Sequence, residues 1–145
     1  MSITIREATV DEIIAVLEGI EEFDPVYSRS EVFERLQGRR YLALVAVEED
    51  RLLGFKLGYS ESSDQFYSWL GGVLPHARRR GIARLLLLQQ EAWARSEGFR
   101  SIRVKSRNRF RNMLQLLLNE SYEICGFDAR ETSADSRIHF CKHLT

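Results

Sequence analysis

The sequence carries no excess of either charge: 21 Lys and Arg stand against 21 Asp and Glu in 145 residues. A neutral chain is a poor generic binder of polyanions, so neither nucleic acid nor a membrane surface is an expected partner. No stretch reaches the roughly 20 apolar residues of a membrane span. The first residues, MSITIREATVDEI, place charges where a signal peptide has its apolar run. A cytoplasmic protein is expected. Cysteine is scarce: Cys125 and Cys141 are the only two, without CxxC or Cys/His ligand spacing, so no metal site is expected. Two buried free thiols are the reading, with a disulfide as the alternative. With 2 Pro and 9 Gly there is no linker, repeat or low-complexity segment, and residues 1–145 are read as one domain around one core.

The charge that is present is uneven. Residues 1–77 hold 7 basic and 14 acidic side chains, residues 78–111 hold 11 and 2, and residues 112–145 hold 3 and 5. A block of net charge +9 therefore sits inside a neutral chain.

Hydropathy patterning orders the elements. Ile3 and Ile5 alternate with polar residues as in a short strand. Thr9 with Glu12, and Ser28 with Glu31, are capping-box pairs that open two short helices. Tyr41–Val47 and Leu52–Tyr59 read as a hairpin turned by Glu48, Glu49 and Asp50, and Phe66–Leu74 as a further strand. Its Gly71-Gly72 pair marks a bulge or a close approach of another backbone or a ligand. A long helix follows, with Ile82, Leu85, Leu86, Gln89 and Trp93 on one face and Leu87, Leu88 and Ala92 broadening it; Gly98 stops it. Ser101–Ser106 is a strand, Arg111–Asn119 a helix, and Tyr122–Ala129 with Arg137–Leu144 a closing antiparallel pair. The order β-αα-βββ-α-β-α-ββ predicts an α+β domain with a central mixed sheet.

The chemically informative stretch is Val73-Leu74-Pro75-His76-Ala77-Arg78-Arg79-Arg80-Gly81-Ile82-Ala83, a strand passing through a short turn into an apolar helix. Such a junction gathers unpaired backbone N–H groups and the positive end of the helix dipole at one point, which makes an anion site. Gly81 removes a Cβ from the approach to those N–H groups, and the arginines add charge-assisted donors. A solvated helix start without a ligand is the alternative.

This segment resembles the GCN5-related N-acetyltransferase superfamily. The family's acetyl-CoA signature is Gln or Arg, two residues, Gly, one residue, then Gly or Ala, after a strand ending in V-x-P; here those positions are Arg78, Gly81 and Ala83 after Val73 and Pro75. The likeness extends over the opening ITIREAT, the two helices, the strand ending GFKLGY and the late strand, helix and strand pair. It implies a central mixed, mostly antiparallel twisted sheet of about seven strands with about four helices. It also implies acetyl-CoA as cosubstrate and an acetyltransferase acting on the primary amine of a small molecule or peptide. The cofactor-binding residues carried over are Arg78, Arg79, Arg80, Gly81, Ile82, Ala83 and Arg84 for the pyrophosphate, and Gly72, Val73 and Leu74 for the pantetheine arm. Asn108, after the fifth strand, is a pantetheine contact or a helix cap. A homodimer is left open.

The sequence departs from the family in its acid and base. The tyrosine that protonates the leaving thiolate falls on Leu117 if Ser121-Tyr122 takes the family's Gly-Phe position, the preferred alignment, and on Tyr122 if Gly126-Phe127 does. No carboxylate occurs between Gln65 and Gln89, so the strand glutamate of some branches is missing. Glu21 and Glu22, in the region that lines the acceptor cleft in the family, are the candidate base, with solvated helix-end carboxylates as the alternative. Tyr67 and Trp69 are candidates to line the cleft or to pack in the core. The acidic residues Glu18, Glu21, Glu22 and Asp24 favour a cationic acceptor. The missing acid and strand glutamate motivate a second reading, a non-catalytic acyl-CoA-binding or regulatory module; a third is a small structural or interaction domain in which the phosphate loop is vestigial.

Overall fold

Two capping boxes start the first helices in the computed structural model, which describes residues 2–23 and 27–144. The Thr9 and Ser28 hydroxyls each accept from the N–H three residues on, at 3.2 Å, and the Glu12 and Glu31 carboxylates accept back at 3.0 Å. Each cap stabilises its helix by about 1 kcal/mol. The chain runs β1 (Thr4–Glu7), α1 (Val10–Glu18), α2 (Arg29–Leu36), β2 (Tyr41–Glu48), β3 (Arg51–Ser60), β4 (Gln65–Val73), α3 (Ile82–Ser96), β5 (Ser101–Arg107), α4 (Arg111–Asn119), β6 (Glu123–Asp128) and β7 (Arg137–His143). Short 3-10 turns lie at Pro75–Ala77 and Ser133–Asp135. The element order is the one read from the sequence.

The seven strands form one sheet in the order β1-β2-β3-β4-β5-β7-β6. Every pairing is antiparallel except β4 with β5. The α3/α4 face buries Phe66, Ile82, Leu86, Ile102, Leu117 and Phe140. The opposite face packs α1 and α2 through Ile13, Leu17 and Val32 onto Val45, Phe55 and Leu57. No residue of β5, β6 or β7 joins that second core, so half of this face is free of helix among the described residues.

α3 is rotated from its expected stripe. Leu85 is 39% exposed and Gln89 is exposed, whereas Gln90 and Glu91 are buried. Glu91 is drawn inward because its carboxylate accepts from the Tyr122 hydroxyl at 2.9 Å and from Lys142 Nζ at 3.0 Å. A buried carboxylate needs such partners, and here they tie α3 to the chain flanking β6 and to β7. The cysteines also differ from expectation: Cys125 is exposed and Cys141 half-buried, and their Sγ atoms lie 2.9 Å apart across the β6–β7 pair. A bulge between Ile124 and Gly126 brings Cys125 to this position. Burial, followed by hydrogen bonding with Cys125, raises the Cys141 thiol pKa to about 11.

Lys56 on β3 is 6% exposed, and burial lowers its ammonium to about 8 from 10.5, opposed only by attraction to Glu91. A lysine whose pKa falls on folding binds fewer protons folded than unfolded between these values, so its contribution to stability rises with pH from about 8 to 10.5. Below that window the full penalty of burying the charge is present. Replacing Lys56 with Met is expected to stabilise the fold by about 2 kcal/mol at neutral pH and to flatten the rise that the wild type shows over that window. Urea denaturation of both proteins across the window measures this; a destabilised variant with an unchanged slope would contradict it.

Candidate active site

β4 and β5 are paired only from Gln65–Ser68 against Ser101–Val104. Beyond this point β4 stays with β3 and β5 with β7, which opens a gap between the two strands. The register places Leu57 opposite Leu70 and Gly58 opposite Ser68, so Trp69 is an extra residue in β4, a bulge at the point of divergence. The Leu74 N–H donates to Leu53 on the β3 side at 2.9 Å. By strand alternation the N–H groups of Gly71 and Val73 then face the gap, and the Val73 carbonyl does so too, since it accepts from Arg78 Nε at 3.0 Å. Of Gly72, Val73 and Leu74, Val73 thus turns its backbone groups to the gap, whereas those of Gly72 and Leu74 face β3. The missing Gly72 side chain has a packing role, because a Cβ there would stand 2.6 Å from Ile20 Cδ1.

The turn leading into α3 supplies the second part of the site. Arg79 (φ 66°) and Gly81 (φ 76°) are both left-handed, with Gly81 as the α3 N-cap. None of the six backbone N–H groups from Arg79 to Arg84 donates to another group among the described residues. Successive free N–H groups in a turn with left-handed residues form an anion nest, here at the positive end of a 15-residue helix. Gly81 has no heavy atom within 4 Å of a would-be Cβ, so its positive φ, rather than crowding, favours glycine.

The arginines do not all point to a ligand. Arg78 forms a two-pronged pair with Glu22, at 2.8 and 3.1 Å. Arg80 is paired with Glu48 at 2.6 and 3.0 Å, and Arg84 with Glu120 at 3.0 Å. Arg79 alone in the run has no carboxylate partner among the described residues. The three ion pairs fasten the loop to its surroundings and leave the N–H groups and Arg79 available to an anion.

Glu21 and Glu22 are exposed and line a cleft of about 470 Å³ with Arg109 and Phe110, between the loop after α1 and the turn after β5. Glu22 is engaged: hydrogen bonding from Arg78 pulls its carboxyl below the usual carboxylate range, which makes it a weak base. Glu21 has no ion-pair partner among the described residues. Asp24 lies outside the described residues. Trp69 stacks edge-on against Tyr27 at 5.2 Å and Tyr59 at 5.8 Å and is half-buried, whereas Tyr67 is buried in the core.

Neither position considered for the tyrosine acid brings a hydroxyl to the gap. Leu117 is fully buried in the α3/α4 core, and the Tyr122 hydroxyl is committed to Glu91. Burial, the neighbouring Glu91 charge and that hydrogen bond push the Tyr122 pKa far upward. Asn108 sits in the turn after β5, with its N–H donating to the Ser136 carbonyl at 2.8 Å and its side chain exposed. Phe110, not Asn108, is the N-cap of α4. Sequence reading missed Lys105 and Arg137, which lie on the helix-free half of the sheet; only the alternation of β5 and β7 hinted at them. Among the described residues no cluster of three or more His, Cys, Asp or Glu could hold a metal ion, and no helix is long and apolar enough to cross a membrane.

A model of the acetyltransferase (GNAT) family matches residues 10–127. No curated protein sequence matches. Solved structures share the fold over nearly the whole chain. Ard1 from Thermoplasma volcanium is 17% identical, with a TM-score of 0.86 over 100% of this chain and 99% of that one. The ribosomal-protein-S18-alanine N-acetyltransferase from Escherichia coli is 15% identical, with a TM-score of 0.85 over 99% and 95%. YncA from Salmonella typhimurium, whose structure includes its cofactor acetyl-CoA, is 16% identical, with a TM-score of 0.80 over 100% and 95%.

The placement of Tyr122 is open to a direct check. Tyr122→Phe is expected to lose about 1–3 kcal/mol of stability, because the buried Glu91 carboxylate loses a donor, while coenzyme affinity and turnover per folded molecule stay unchanged. Urea denaturation alongside calorimetry and thiol-release assays separates the two effects; a large fall in turnover at unaltered stability would return Tyr122 to the chemistry.

Proposed function

The chain belongs to the GNAT acetyltransferase family, and from that membership we propose that it is an acetyl-CoA-dependent N-acetyltransferase acting on a primary amine of a small molecule or peptide. The observation that carries the coenzyme assignment is the run of six free N–H groups from Arg79 to Arg84 around two left-handed residues. A pyrophosphate needs several convergent donors, and this turn offers them without competing intramolecular acceptors. The backbone groups of Gly71 and Val73 that face the gap would pair with the amide arm of the coenzyme. Bound there, acetyl-CoA supplies an acetyl group activated as a thioester.

The remaining work falls to the chain. An alkylammonium holds its proton to about pH 10.4 and an α-amine to about pH 8, so a base must take it before the nitrogen can attack a carbonyl. Glu21 is the candidate, because Glu22 is occupied by Arg78 and its carboxyl is held low. A β4 N–H donating to a carbonyl oxygen in the gap is the kind of contact worth about 3 kcal/mol. The cleft between Glu21 and Phe110 holds the amine near the gap and converts an encounter in solution into a local one. The second reading, a non-catalytic acyl-CoA-binding module, draws on the absence of a gap-facing tyrosine hydroxyl at Leu117 or Tyr122.

Gly81→Glu places a carboxylate at the nest on an unfavourable left-handed backbone. It is expected to weaken acetyl-CoA binding roughly 100-fold in calorimetry; affinity equal to wild type would sink the coenzyme assignment. In a thiol-release assay over an amine panel, Glu21→Gln is expected to lower kcat roughly 10²- to 10⁴-fold with a smaller effect on KM. An unaltered kcat would remove Glu21 from the mechanism, and silence of the wild type over the panel with tight coenzyme binding would favour the module.

A further inference from the structure

The face of β5 and β7 turned away from α3 and α4 is cationic. Ile102 and Val104 on β5, and Ile138 and Phe140 on β7, are buried in the α3/α4 core, so Arg103, Lys105, Arg107, Arg137 and His139 alternate onto the other side. This is the half of the sheet that α1 and α2 do not cover.

Its carboxylates are already taken. Glu61 accepts from Arg103 Nε at 2.8 Å, Asp128 contacts His139 at 2.8 Å, and Asp135 lies 3.6 Å from Arg107 and 3.3 Å from Arg109. Lys105 and Arg137 remain without a carboxylate partner among the described residues. They share the face, since Lys105 stands opposite His139 and Arg137 opposite Arg107 in the β5–β7 register. The Lys105 ammonium, 5.7 Å from the centre of the Tyr67 ring, is depressed by partial burial and by the charges of Arg103 and Arg137. Asp128, opposite Arg137 in the β6–β7 register and already bonded to His139, offsets these charges only in part, since Lys105 is still depressed, and an anion shared between the two would complete the balance.

The position of the pair says which anion. Lys105 directly follows Val104, the last β5 residue paired with β4, so it stands where the gap opens. Further along the same stretch of chain, Arg109 and Phe110 line the Glu21 cleft. We propose that Lys105 and Arg137 hold the carboxylate of the acceptor, which makes the acceptor an amine that also carries a carboxylate, of which free amino acids are the simplest. The acidic N-terminal region suggested a cationic acceptor, but Glu22 is paired with Arg78, whereas these two cations have no carboxylate in ion-pair contact among the described residues. This proposal rests on the acetyltransferase reading for its amine and on the sheet face for its carboxylate, and the two can fail separately.

The test uses the full chain with coenzyme A and saturation-transfer NMR, which needs no turnover. The probes are a mixture of N-acetyl amino acids, the same mixture as C-terminal amides, and N-acetyl-phosphoethanolamine. Carboxylate probes are expected to bind about tenfold or more tightly than their amides, and Lys105→Gln and Arg137→Gln each to remove most of that preference while coenzyme A affinity is unchanged. Equal binding of amides, no binding of any carboxylate, an equal loss for both sets in the variants, or preference for the phosphorylated probe would overturn the proposal. A parallel thiol-release assay with amino acids and amino acid amides separates the readings. Carboxylate preference in binding without thiol release leaves the face proposal standing and fails the transferase reading. Turnover of amides as fast as free acids does the reverse.

Discussion

The architecture turns on the short reach of one strand pairing. β4 and β5 share four residue pairs and then part, because Trp69 bulges from β4 while β5 is drawn fully onto β7. A parallel pair continued to the end of β4 would have sealed the Gly71 and Val73 N–H groups in a ladder. Parting leaves them unsatisfied at an edge inside the sheet, and buried edges persist where something can pair with them. The same divergence sets the end of β4 beside the N-terminus of α3, so the backbone donors of the strand and those of the nest adjoin. The gap and the adjacency of its strand donors to the nest are two consequences of one interrupted ladder.

Charge in this molecule divides into cations that hold structure and cations that are free to meet a ligand. Exposed ion pairs are worth about 0–1 kcal/mol each, so Arg78–Glu22, Arg80–Glu48 and Arg84–Glu120 matter for where they put the loop rather than for its stability. Arg78 is bound both to Glu22 and to the Val73 carbonyl, which ties the loop after α1, the end of β4 and the nest into one unit. A coenzyme held by backbone N–H groups needs this positional constraint more than further positive charge, because backbone donors cannot reach for a misplaced ligand.

What was legible in the sequence follows the range of the interactions involved. The caps at Thr9 and Ser28, the apolar runs of β2 and β3 with the acidic turn between them, and the strand–turn–helix junction at Gly81 are set within a few residues, and they read correctly. The arginine run read as a row of ligand donors because the partners of three of its members, Glu22, Glu48 and Glu120, lie 32 to 56 positions away. Nothing local marks Glu91 for burial, for the same reason: its partners Tyr122 and Lys142 come from the far end of the chain, and without them its burial would be unaffordable. Lys105 merged into the basic block of residues 78–111 and Arg137 lay in a net-acidic segment, and their distinction depends on which neighbouring cations are in contact with carboxylates.

The balance of acid and base in the site is chemically coherent once the leaving group is considered. A thiol of ordinary pKa near 8.5 departs as a thiolate that is only moderately basic at neutral pH, so protonating it in flight gains little. An alkylammonium near 10.4 is overwhelmingly protonated at the same pH, so removing its proton is the larger barrier. A GNAT fold with Leu117 buried and the Tyr122 hydroxyl committed to Glu91 gives up the smaller of the two contributions. The proposed reaction then depends on a carboxylate that is not neutralised by an arginine, and of the two in the loop after α1, Arg78 engages Glu22 and leaves Glu21 unpaired among the described residues.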